Sequence, residues 1–148
     1  MRRLAACLCL LFFALPSCRR PDTRPPDQVV RDLWSDDADD RDAARGTLLK
    51  RGKDAVPALL GALAGDDTVA ALAAADTLAK IGKDAVPALA LALSSAPNSP
   101  ADRQRSWSIY ALGLIGRDAA EAVPLIEEAQ RDHALRDVAA EALKRIRG

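Results

Sequence analysis

Side chains equipped for chemistry are few in this 148-residue chain, and they do not gather. There is one histidine, His133, in a polar stretch between two helical segments, with no second His or Cys to share a metal with it. It reads as an exposed loop residue. Asp36, Asp37, Asp39 and Asp40 form an acidic run, but the run lacks the Gly and the terminal bidentate Glu of a calcium loop. It suits instead the start of a helix, where carboxylates meet the positive end of the dipole. No GxSxG-type nucleophile motif occurs. No Gly-rich phosphate loop follows a strand, because no stretch alternates as a strand must. The sequence therefore offers no catalytic residue, no metal ligand set and no cofactor site.

Cysteine chemistry points elsewhere. Arg2 and Arg3 precede a 12-residue apolar run, Leu4 to Leu15. That run is short of the ~20 residues a membrane-spanning helix needs and suits the apolar region of an export signal. It ends in Leu15, Pro16, Ser17 and Cys18, which resembles the bacterial lipoprotein box, although Pro16 departs from the small or β-branched residue commonest there. The resemblance implies cleavage before Cys18, diacylation of Cys18 and anchoring in a membrane. Residues 1–17 are then the signal peptide. Cleavage by an ordinary signal peptidase and an uncleaved anchor are the alternatives. Cys7 and Cys9 would leave with the signal, so the mature chain would hold neither a disulfide nor a Cys-based metal site.

Loss of Arg2 and Arg3 takes two of the 21 basic residues, leaving 19 against 21 acidic ones. A balance so near neutral gives no electrostatic case for nucleic acid. Residues 18–27 hold three prolines and several charges and build no core, so they read as a tether behind the lipidated Cys18. Extended at ~3.1 Å per residue, it would hold the domain roughly 25–30 Å from its anchor. Arg19, Arg20 and Arg24 could add a weak attraction to anionic headgroups, or could simply be solvated.

The elements that would position any site come from a repeat covering residues 28–148. Leu48 to Leu63 and, thirty residues on, Leu78 to Leu93 share Gly-Lys-Asp-Ala-Val-Pro-Ala-Leu in the same place. A third copy runs from Leu112 through Gly116 and Asp118 and, after a three-residue insertion, resumes at Ala122, Val123 and Pro124. A fourth starts at Arg136 and stops after its first helix. A fixed period of about 30 residues marks stacked helical units. In each, Ala73, Ala74, Leu78 and Ile81 or their equivalents give one apolar stripe. Gly52, Gly82 and Gly116 are expected to end the first helix in a left-handed conformation. Asp54 and Asp84 are expected to cap the second helix, with Pro57, Pro87 and Pro124 in its first turn. Each helix should run about 12 residues. Val29, Val30, Leu33 and Trp34 have helical spacing and could cover the open end of the first unit, and residues 94–102 read as a loop.

Ala-Ala-x-x-Leu-x-x-Ile-Gly followed by Asp-Ala-Val-Pro-Ala-Leu resembles the HEAT-like repeat of phycobilisome-lyase proteins. The resemblance implies an all-α fold, a short right-handed α-solenoid of about three and a half helical hairpins. It also implies scaffolding and protein binding, with a chromophore-lyase or modifying subunit as the alternative. That alternative needs a cleft with convergent polar groups, for which the chain supplies no His, Cys or aromatic cluster.

Superposing the copies singles out surface residues. Trp107 aligns with Ala43, Ala73 and Val138 and is expected in the core. Tyr110 aligns with Gly46, Asp76 and Glu141; Leu72 with Asp42, Ser106 and Asp137; Leu91 with Gly61 and Glu128. Leu72, Leu91 and Tyr110 are thus apolar or aromatic where their counterparts are not. Either they cover local structure, Leu91 beneath the loop at 94–102, or they belong to a partner-binding patch. The basic residues Lys50, Arg51, Lys53, Lys80, Lys83 and Arg117 recur at the repeat turns, where they complement helix C-termini or meet an acidic partner. The expectation is a non-catalytic protein-binding module on the cell envelope, facing the periplasm or exterior. It would bind an unidentified protein along its second helices (Val56–Leu63, Val86–Leu93, Val123–Ala129). Because Arg19 is not Asp, the outer membrane is its expected address in a two-membrane cell.

Overall fold

Aspartates thirty residues apart start the first helices of successive units. The carboxylate of Asp37 accepts the amide of Asp39 at 2.8 Å, and that of Asp67 accepts Val69 and Ala70 at 2.8 and 3.2 Å. Asp132 accepts Ala134 at 3.0 Å just ahead of the last helix. Asp37 and Asp67 thereby satisfy amides that a helix start leaves without a carbonyl, whereas Asp132 closes the turn ahead of the last helix, whose N-cap Leu135 has no side-chain cap bond. The computed structural model describes residues 22–94 and 102–148. Cys18, the signal-like run and residues 95–101 lie outside the described residues. The described chain is all-α: α1 (Pro26–Arg31), α2 (Ala38–Arg51), α3 (Val56–Ala64), α4 (Thr68–Ile81), α5 (Val86–Leu93), α6 (Asp102–Ile115), α7 (Val123–Ala129) and α8 (Arg136–Arg147).

The turns differ from expectation in an informative way. Gly52, Gly82 and Gly116 have φ of 52°, 74° and 72°. With ψ of −123° and −135°, Gly52 and Gly82 lie outside the left-handed helical basin. They adopt the conformation of the first central residue of a type II′ turn, which a Cβ would strain. Beyond the glycine the chain does not open out. It continues as 3-10 helix over Gly52–Ala55, Gly82–Ala85 and Gly116–Ala122. Asp54 and Asp84 are therefore not caps. The residues before α3 and α5 are Ala55 and Ala85, right-handed helical and without a side-chain cap bond. The amides of Val56 and Val86 already donate to the carbonyls of Lys53 and Lys83, so the carboxylates have no such role. Pro57, Pro87 and Pro124 do sit in the first turn of α3, α5 and α7. The 3-10 segments take up chain that was expected to be α-helix, and the second helices run only 9, 8 and 7 residues.

Helices pack side by side in two rows. α2, α4, α6 and α8 neighbour one another in chain order, as do α3, α5 and α7, and the three 3-10 turns stack at one end. Between the rows lie equivalent residues: Leu48, Leu78, Leu112 and Leu143 from one, and Leu59, Leu89 and Ile126 from the other, all buried. Residues 51–64 and 81–94 have the same burial at every position. Truncating one of these leucines to Ala would cost about 2–5 kcal/mol. α1 and the 3-10 turn Asp32–Trp34 bury Val29, Val30 and Leu33 against α2 and α3, closing the first end as expected.

Small residues bring neighbouring helices of one row close. A Cβ on Gly113 of α6 would stand 3.0 Å from both Cα and Cβ of Ala142 on α8. Ahead of α1, the expected free tether through Asp27 gives way to a docked segment. Arg51 donates to the Asp22 carbonyl at 2.6 Å, and Arg24 bridges the carboxylates of Asp22 and Asp32 at 2.7 Å each. These contacts tie Asp22 and Arg24, just ahead of α1, to the body. No helix among the described residues is long and apolar enough to cross a membrane.

Candidate functional site

The exposed apolar surface lies on the row of first helices. Leu72 on α4, Ser106, Trp107 and Tyr110 on α6, and Val138 on α8 line an open groove of about 330 Å³. Trp107, expected in the core, is half-buried. Its equivalents Ala43, Ala73 and Val138 are also only partly buried, so this position is the flank of the stripe, and an indole there must spread along the surface. It rests against Tyr110, one turn further along α6, ring edge to ring face. Leu72 is 41% exposed across from them. Val69, one turn before Leu72, is 64% exposed and extends the apolar strip toward the start of α4.

The structure thus brings Leu72 and Tyr110 together and leaves Leu91 apart. Leu91 is 73% exposed on α5, in the other row. The loop expected to cover it falls on residues outside those described. At the second-helix row a depression of about 370 Å³ is lined by polar residues, Glu127, Gln130, Arg131 and Arg136. Val56, Leu59, Leu63, Val86, Leu89 and Ile126 all point into the core.

Charge around the groove is mixed. Arg103 binds Asp66 and the Gly65 carbonyl, and Arg145 binds Glu141 at 2.9 Å, while Lys80, one turn beyond Asp76, and Arg136, beside Asp137, are exposed. Asp76, one turn beyond Leu72, and Asp137, beside Val138, have no ion-pair partner among the described residues. Glu141 joins Tyr110 and Val138 in an adjoining depression that ends on Arg145.

Elsewhere the sequence-level candidates separate. His133 is exposed in the turn before α8. Asp37 caps α2, so the acidic run marks a helix start. No group of three or more His, Cys, Asp or Glu among the described residues could hold a metal. Lys50, Lys53, Lys80, Lys83 and Arg117 are exposed near the stacked turns, but Asp54, Asp84 and Asp118 follow the turn cations and keep the sign mixed. Arg51 is turned to the Asp22 carbonyl instead.

One polar cluster escaped the sequence reading. The Arg105 side chain is 7% exposed and donates to Asp102 and Asp132 at 3.1 and 3.2 Å, tying the start of α6 to the turn before α8. Its signal was present in the register, since Arg41, Arg105 and Arg136 occupy equivalent positions. Arg41 plays a related part by donating to the carbonyls of Ser35 and Asp36.

No family model and no curated protein matches this chain. Function must therefore be argued from the groove and the repeat.

Proposed function

We propose that this chain is a short α-solenoid of HEAT-like hairpins whose work is to bind another protein, held at the bacterial cell envelope by a lipid on Cys18. The observation that carries the binding role is the groove. Leu72 stands exposed and Tyr110 half-buried at the surface where the other copies have Asp, Ser, Gly or Glu, and they lie together rather than scattered. Contiguous apolar surface with a polar rim is the usual mark of a protein interaction site, and Trp and Tyr are the side chains such sites favour. The identical burial of residues 51–64 and 81–94 supports the repeat architecture. Binding would follow from shape and surface complementarity, with no chemistry of its own.

Affinity capture from intact envelopes tests this. Tyr110→Ala should keep the fold and lose a partner recovered with the wild-type chain, whereas Leu91→Ser should retain it. Loss of thermal stability with recovery unchanged would rule the groove out. Anchoring is tested separately: Cys18→Ala should move the protein from the membrane to the soluble fraction. A wild-type chain that is already soluble would end the lipoprotein proposal.

A further inference from the structure

Where the chain joins its body limits how that body can face a membrane. We infer that, anchored at Cys18, the protein lies with its stacked 3-10 turns against the phospholipid headgroups, with Lys50, Lys53, Lys80 and Lys83 among them. This rests on the lipid anchor proposed above and adds the surface that meets the bilayer.

Covalent length is the main support. Arg51, the last residue of α2, donates to the Asp22 carbonyl at 2.6 Å and so pins Asp22 at the turn end of the stack. Only residues 19–21 then separate Asp22 from Cys18, and four steps of chain span at most about 14 Å. The reach of roughly 25–30 Å expected of a free tether is lost. Acyl chains on Cys18 would keep that residue at the headgroup layer. The first helices all end at the turns, and 14 residues in each of α2, α4 and α6 make about 21 Å. Their starts therefore lie roughly a helix length further from Asp22 than the turns do.

Charge acts in the same sense, but weakly. Lys50, Lys53, Lys80, Lys83, Arg117 and Lys144 stand exposed along the turn edge. Asp54, Asp84, Asp118 and Glu121 are interspersed with them, so attraction to phosphates is slight and the short anchor sets the orientation. At the same end of the stack as Asp22, the opposite edge carries the exposed run Asp36, Asp37, Asp39 and Asp40, while Arg41 is turned to the Ser35 and Asp36 carbonyls. Anionic headgroups would repel that run and oppose tipping onto it. In the inferred orientation α4, α6 and α8 stand up from the membrane, and the groove of Leu72, Trp107 and Tyr110 opens sideways.

The test uses the full chain, expressed in a bacterium, purified from its membranes and reconstituted in vesicles of phosphatidylethanolamine and phosphatidylglycerol. One added cysteine carries a bimane label, at Lys53→Cys or Lys83→Cys on the turn edge, or at Ala38→Cys or His133→Cys on the other. A nitroxide on the lipid headgroups quenches whatever lies near them. Quenching at positions 53 and 83 should exceed that at 38 and 133 by twofold or more. Equal quenching at the two edges, or stronger quenching at 38 and 133, would overturn the inference. Ten Gly and Ser residues inserted between Arg20 and Pro21 should erase most of the difference without touching the folded body. A difference that survives the insertion would show that the short anchor does not set the orientation. Intact mass separates the two readings. A chain without diacylglycerol on Cys18 ends the anchor proposal and this inference with it, whereas a lipidated chain quenched equally at both edges overturns the orientation alone.

Discussion

Trp107 and Tyr110 meet edge to face on α6, with ring centroids 5.5 Å apart and planes at 89°. Such pairs contribute about 0.5–1.5 kcal/mol beyond the area they bury. The two rings brace each other, and both are half-buried against the core. Trp107→Ala, which restores the residue found at Ala43 and Ala73, should cost about 2 kcal/mol in urea unfolding. Tyr110→Ala should cost about 1 kcal/mol, and Tyr110→Phe should be close to neutral because the edge-to-face contact survives. A Tyr110→Ala variant that fails to fold would show that the ring is structural.

Glycines inside the helices should respond according to the space around them. Nothing lies within 4 Å of a Cβ added at Gly46 or Gly61. Alanine at either should raise stability by about 0.5–1 kcal/mol through helix propensity and a less flexible unfolded chain. At Gly113 the added Cβ meets the Cα and Cβ of Ala142 at 3.0 Å. Alanine there should gain nothing, and Gly113→Val should lose about 2 kcal/mol or more by forcing α6 and α8 apart. Thermal melts of the four variants decide the sign at each site.

The polar cluster at the start of α6 makes a second contrast. Ser108 Oγ is buried with no hydrogen-bond partner in the structure, and the equivalent residues are Ala44, Ala74 and Ala139. Ser108→Ala should therefore stabilise by about 1 kcal/mol. Arg105→Ala should cost about 2 kcal/mol. That is less than the cost of breaking a fully buried pair, because Asp102 and Asp132 keep 36% and 28% exposure and can turn to water. Chemical denaturation of both variants measures these changes.

Acid should loosen the segment before α1. The Arg24 guanidinium, helped by the Arg24 amide, holds the Asp22 carboxyl below its ordinary value, and Asp22 in turn raises Arg24. A carboxyl depressed in the folded state contributes stability that is present above its unfolded pKa and is lost as pH falls through the folded one. The advantage of the wild type over Asp22→Asn should therefore hold near neutrality and fade below about pH 4. Protection of the Arg24 amide, which donates to the Asp22 carboxylate, should fall over the same range once exchange rates are corrected for the intrinsic rate at each pH. A difference that stays constant down to pH 2 would show that the ion pair is not its source.

Much of the helix order was legible because the repeat fixes it: one register places Leu48, Leu78, Leu112 and Leu143 in the same environment. The turn chemistry was less so. An Asp two residues after a Gly signals a cap only if the chain leaves the helix there, and the 3-10 continuation removes the orphan amides that Asp54 and Asp84 would have served. The true caps, Asp37 and Asp67, lay in the same thirty-residue register. Leu72 and Tyr110 stood out as exceptions within their columns, but a column does not say which exceptions are neighbours. Leu91 is as exceptional as either and lies in the other row. Trp107 was misplaced because alanines at equivalent positions hide whether a site is core or flank.

The binding role is tested most directly by a photoreactive amino acid placed in turn at positions 72, 110 and 91 of the full-length chain, irradiated in living cells. Positions 72 and 110 should crosslink to the same protein, and position 91 should not. Crosslinking confined to position 91, or none at 72 and 110 in a chain that is folded and normally expressed, would contradict the account.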